Sequence, residues 1–92
     1  MKNNIWYEII ILDACGDEYD SIQCRHEEFI DVCKRVIDMK KHDKLLGSEF
    51  GIWDYRIIRH EIDDNTDWYN VYKVYKYRGK WKYKEDMEYI YR

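Results

Sequence analysis

The stretch VYKVYKYRGKWKYK, Val71 to Lys84, decides how the chain is read. It holds five lysines, one arginine, four tyrosines and one tryptophan, with no acid. Arg78-Gly79 lies at its middle and suits a two-residue hairpin turn. Folding there sets Tyr77 opposite Lys80, Lys76 opposite Trp81, Tyr75 opposite Lys82, Val74 opposite Tyr83 and Lys73 opposite Lys84. Side chains alternate along a strand. Tyr72, Val74, Trp81 and Tyr83 therefore form a core face, and Val71, Lys73, Tyr75, Tyr77, Lys80, Lys82 and Lys84 form the other. Lysine and tyrosine interleave on that second face. Lys73 opposite Lys84 juxtaposes like charges, at a small cost.

Working upstream, Trp68 to Tyr77 is rich in aromatic and β-branched residues and predicts a strand. Tyr69, Tyr72 and Tyr75 have period three, which keeps a helix as the alternative. DDNTD before it is turn chemistry. Trp53, Tyr55 and Ile57 alternate, and Ile58, His60 and Ile62 alternate out of phase. A bulge near Ile57–Ile58 is expected to join the two halves. Phe29, Val32, Cys33, Val36 and Ile37 follow the i, i+3, i+4, i+7, i+8 rule, one stripe of a helix. Glu27 and Glu28 early and Lys40 and Lys41 late suit its dipole. Its start is either Asp20, with Gln23 as a capping partner, or near Arg25, with SIQC extended; Gly47 and Gly51 mark its exit. DACGDEYDS reads as an acidic loop. Ile5 to Leu12 reads as an interior strand, apolar on both faces. Downstream of the hairpin, EDMEYIYR is ambiguous between a short strand and a helical turn.

The expectation is one α+β domain spanning residues 1–92. One amphipathic helix packs on a four- or five-stranded, mostly antiparallel sheet in the order β-α-β-β-β. One helix covers one face only, so the other stays open unless a partner covers it. Glu8 is expected to neutralise part of the Lys–Tyr surface. The 46% hydrophobic content excludes the sparse, highly charged profile of a disordered chain. The longest apolar-rich run, IWYEIIIL, is far too short to span a bilayer. Cys15, Cys24 and Cys33 form no C-x-x-C pair, which argues against a disulfide framework or thiolate zinc site. A reduced, cytoplasmic home is expected.

Most catalytic and metal patterns fail on named positions. Asp63-x-Asn65-x-Asp67 opens like a calcium loop, but Trp68 and Val74 occupy the positions that need glycine and glutamate. Cys15 would need an arginine at position 21, where Ser21 stands, and its acidic surroundings oppose thiolate formation. His26, His42 and His60 lack ligand spacing. Cys33, on the apolar stripe, is expected in the core. No cofactor and no enzymatic activity are expected.

Charge gives the remaining expectations. The chain has 16 basic and 19 acidic residues, and the hairpin stretch alone takes six of the basic ones. Acids gather in two loops, residues 13–20 and 61–67. Set at one edge, Asp17, Glu18, Asp20, Asp63, Asp64 and Asp67 would dock on a basic groove of a protein partner. Exposed Tyr and Trp would be the anchors. The expected function is thus non-catalytic binding to a protein, such as inhibition of a nucleic-acid-handling enzyme by mimicry of its acidic ligand. In size and bulk character the chain is similar to small phage-encoded inhibitors, including anti-CRISPR proteins. The alternative is a single-stranded nucleic-acid-binding module using Lys73, Tyr75, Tyr77, Lys80 and Lys82. Arg78-Gly79 resembles the opening of the RNP1 strand of RNA-recognition motifs, but Lys80, Trp81 and Lys82 depart from it.

Overall fold

A computed structural model describes residues 4–13, 15–46 and 52–89. The elements are β1 (Asn4–Asp13), β2 (Glu18–Cys24), α1 (Phe29–Leu46), β3 (Ile52–Asp63), β4 (Thr66–Tyr77) and β5 (Lys80–Glu85). The strands form one antiparallel sheet in the order β2-β1-β3-β4-β5, with α1 on one face. The α+β class holds, with β1 in the interior.

Two boundaries differ from the sequence reading. The acidic segment ends in a strand, so the order is β-β-α-β-β-β. The reason is local. Asp13 accepts the amides of Cys15 and Asp17 on Oδ1, at 2.9 and 3.0 Å, and Gly16 takes φ +82°. That closes a tight turn, and Ile22 and Cys24 then alternate onto the α1 side. Asp20 does not cap a helix; its Oδ1 accepts the Ser21 amide. The helix starts at Phe29, where the Glu28 carbonyl accepts from Asp31 and Val32. Its stripe is as expected: Val32, Cys33 and Val36 are buried, with Phe29 and Ile37 packed beside them. Lys40 and Lys41 fall inside the helix, which runs to Leu46. Gly47 and Gly51 lie outside the described residues.

The expected bulge at Ile57–Ile58 is absent from β3, whose pairing with β1 and β4 runs straight through both residues. Two cores explain the double pattern. Ile57 faces α1 with Ile9, Ile11, Tyr55 and Val74, while Ile58 faces away with Ile10, Leu12 and Val71. Both isoleucines are fully buried. Register shifts occur at Ile11/Leu12 against β2 and at Leu12/Asp13 against β3. The face away from α1 is not left bare either. After β5 the chain turns over it: the Asp86 amide bonds the Val71 carbonyl, and Tyr89 packs on the second cluster.

The sheet opens between β3 and β4. Their ladder runs from Asp63–Thr66 to Ile57–Tyr72; beyond it β3 continues against β1, and β4 against β5. Charged side chains fill the opening. Lys40 Nζ donates to the Val74 carbonyl at 2.7 Å and meets Asp54 Oδ1 at 2.9 Å. Arg56 binds Asp54 and Asp86, both at 2.8 Å. Burial alone would raise the Asp54 pKa, but hydrogen bonds from Lys40 and Arg56 outweigh it and hold the carboxyl below its ordinary range. Asp86 is lowered likewise, with Arg56 outweighing burial.

Candidate functional site

The β4–β5 hairpin adopts the register read from its sequence, from Tyr77–Lys80 to Lys73–Lys84. Arg78 and Gly79 both take positive φ, 51° and 79°, the backbone of a type I′ turn. Lys73, Tyr75, Tyr77, Lys80, Lys82 and Lys84 thereby share the face turned away from α1. Cations lie over the tyrosine rings: Lys84 Nζ is 5.4 Å from the Tyr75 centroid, and Lys82 Nζ 5.8 Å from that of Tyr77. Arg78 also sits 5.2 Å from the Tyr77 ring. Tyr77, Lys80, Lys82 and Lys84 are exposed, and Lys73 and Tyr75 are half-buried.

Glu8 does not cover this surface. It is buried on β1, with β3 between it and β4, and its Oε1 lies 3.0 Å from His60 Nε2. Trp6 stacks on His60 with ring centroids 4.0 Å apart, and Arg25 caps Trp6 at 3.9 Å. The charge of Asp86 interacts with that of Lys73, and Arg56 holds Asp86.

The acidic residues are not brought together. Asp17 lies in the β1–β2 turn, with Glu18 and Asp20 following it in β2, at the end where β1 finishes. Asp63, Asp64 and Asp67 surround the β3–β4 turn, beside the start of β1 where Asn4 pairs with Ile62. A ten-residue strand separates the two groups, about 30 Å at its usual rise. All six acids are exposed, but they form two patches and not one surface. The calcium-like spacing at Asp63-x-Asn65-x-Asp67 belongs to a hairpin turn in which Asp64 and Asn65 take φ of 47° and 70°.

The opposite end of the α1 face carries a site that sequence reasoning missed. Tyr7, Phe29, Arg59, Tyr72 and Tyr83 line a cleft of about 230 Å³. The Phe29 ring meets Tyr83 at 4.9 Å and Tyr72 at 5.1 Å, both edge-on, and Tyr7 at 5.6 Å. Arg59 binds Glu61 at 2.9 Å. Tyr83, expected in the core, is 53% exposed and meets α1 at the helix's first residue, Phe29. The signal available was three tyrosines, Tyr7, Tyr72 and Tyr83, in neighbouring rows of one face; what hid it was the position of the helix start.

Burial sets the thiol chemistry. Cys33 is pushed up to about 11 by burial. Cys24 is raised as well, mainly by burial, although Arg35 donates to its sulfur at 3.3 Å. No helix among the described residues is long and apolar enough to cross a membrane. Comparison of the chain with protein families, characterised proteins and solved structures found no match.

Proposed function

We propose that the protein is a non-catalytic binding module for single-stranded nucleic acid, using the β4–β5 face turned away from α1. The observation that carries this reading is the hairpin register, which sets Lys73, Tyr75, Tyr77, Lys80, Lys82 and Lys84 side by side. Same-face residues repeat about every 7 Å along a strand, and neighbouring strands lie about 5 Å apart. Lysines therefore flank each tyrosine at distances suited to a base on the ring and a phosphate beside it. The cations over Tyr75 and Tyr77 do not block a base. An exposed cation–π contact contributes about 0.5–1 kcal/mol, whereas base stacking contributes about 1–3 kcal/mol. A base displaces the ammonium, which then meets the phosphate.

A fluorescently labelled oligothymidylate tests the reading. Binding is expected at low salt, weakening steeply as salt rises because each neutralised phosphate releases counterions. Lys80→Glu with Lys82→Glu should abolish it. Absence of binding at low salt sinks the proposal.

A second reading is a protein partner with a basic surface, as for a small inhibitor of a nucleic-acid-handling enzyme. Asp17, Glu18, Asp20, Asp63, Asp64 and Asp67 favour it because all are exposed. They would act as two separate patches. Recovery of a stoichiometric partner from host lysate, lost on charge reversal at either patch, supports it; background proteins alone count against it.

A further inference from the structure

The cleft between Phe29 and the sheet lies on the opposite face from the lysine–tyrosine surface. Three features narrow what it can take. The first is size. At about 230 Å³ it falls below the roughly 300–1,000 Å³ of small-molecule pockets. It holds one side chain and not a whole cofactor.

The second is the surface around it. Along β1, β3 and β4 the residues beyond the helix form two rows, Tyr7–Arg59–Asn70 and Ile5–Glu61–Trp68. Ile5 and Trp68 are exposed, Trp68 by 59%. An extended segment lying over them leads directly into the cleft.

The third is charge. Arg59 is the one cation of the lining, and Glu61 neutralises it at 2.9 Å. Glu85 stands opposite Tyr72 on β5, held by Asn70 at 3.1 Å. Asp63 and Asp64 lie just beyond the Ile5–Glu61–Trp68 row. An anionic ligand would meet carboxylates on the β3 and β5 sides, and a purely apolar side chain would leave them unused.

We propose that the cleft receives an arginine side chain from a basic segment of a protein partner. The guanidinium plane stacks on the aromatic rings, and its edge donates to Glu85. Arginine suits the site better than lysine because it is planar, more weakly hydrated and able to stack while donating in a fork. The Arg25–Trp6 contact on the other face, at 3.9 Å, is the same kind of pairing within the chain itself. This inference uses residues apart from the hairpin lysines and does not depend on nucleic-acid binding.

The test is titration of the ¹⁵N-labelled full chain with arginine, lysine and glutamate hexapeptides, followed by amide shifts. Shifts at Tyr7, Phe29, Arg59, Trp68, Tyr72 and Tyr83 are expected, with arginine binding several-fold tighter than lysine. Tyr83→Ala with Glu85→Gln should weaken binding by about tenfold, the scale of an interface anchor. Both positions are exposed, so the fold is expected to survive. Trp68→Ala provides a second variant, and Lys80→Glu with Lys82→Glu should leave peptide binding intact. Shifts confined to residues 13–20, equal binding of the two cationic peptides, binding of the glutamate peptide, or indifference to Tyr83→Ala with Glu85→Gln overturns the proposal.

Discussion

The two faces of this sheet are stabilised by different physics. On the α1 side nine buried residues, counted among the described ones, come from β1, β2, α1, β3 and β4, and partly buried rings surround them. On the other side, among the described residues, Ile10, Leu12, Ile58 and Val71 are buried as a cluster, with Tyr89 against them. That face depends more on polar contacts: Glu8 with His60, and Arg56 between Asp54 and Asp86. A helix supplies a continuous apolar stripe to one side of a sheet, and a short return of the chain cannot match it on the other. The consequence is functional. A face with little apolar cover leaves positions free for lysine and tyrosine, and both proposed binding surfaces lie where apolar cover ends.

Adjacent isoleucines on one strand give the strongest way to break that comparison. Ile57→Ala should cost about 3–5 kcal/mol and Ile58→Ala about 2–3 kcal/mol, within the range for buried aliphatic truncation. Urea unfolding measures both. Equal losses would mean that the smaller cluster is as tightly packed as the larger.

The ion network gives the next effect. Arg56→Met keeps the side-chain bulk but leaves Asp54 and Asp86 without their shared partner, and should cost about 1.5–3 kcal/mol. The pH dependence follows from the same contacts. Both carboxyls have folded-state pKa values below the ordinary value of about 3.9. Their stabilisation is therefore present in full above pH 4 and is lost as pH falls through the folded-state values. Acid titration of stability should be steeper below pH 4 in the parent protein than in Arg56→Met. Identical titrations would remove the network from the account of this face.

The smallest effect concerns the turn beyond both faces. Arg78 carries a side chain at φ 51°, a conformation that asparagine tolerates better. Arg78→Asn creates the Asn-Gly pair favoured in type I′ turns and should add about 0.5 kcal/mol. It should also lower the salt slope of oligothymidylate binding by at most about one contact, since the register of the lysine face is unchanged. A large loss of binding would shift the site from the face to the tip.

Much of this was legible in residues 71–84. Alternation and a turn pair fix a hairpin register, because a one-residue slip would exchange its faces. The helix stripe at Phe29–Ile37 was equally clear. Residues 18–20 were not, since Glu18 and Asp20 disfavour a strand locally, whereas an extended SIQC was one of the two readings open at the helix start and is the one β2 bears out. Their conformation comes from the Asp13 turn and from pairing with β1. The out-of-phase halves of β3 misled for a related reason: apolar residues on both faces imitate a slipped strand until a second core is known to exist.

By itself, then, the sequence determined the class of the domain, the α1 stripe and the composition of the Lys–Tyr face, all of which are written in patterns of near neighbours along the chain. Only the tertiary structure decided that the acidic residues form two distant patches, that Glu8 pairs with His60, and that Tyr7, Phe29, Arg59, Tyr72 and Tyr83 enclose one cleft. Those outcomes depend on strand order and on where the helix begins. Neither is encoded in local periodicity, because residues far apart in the chain become neighbours only once the sheet is assembled.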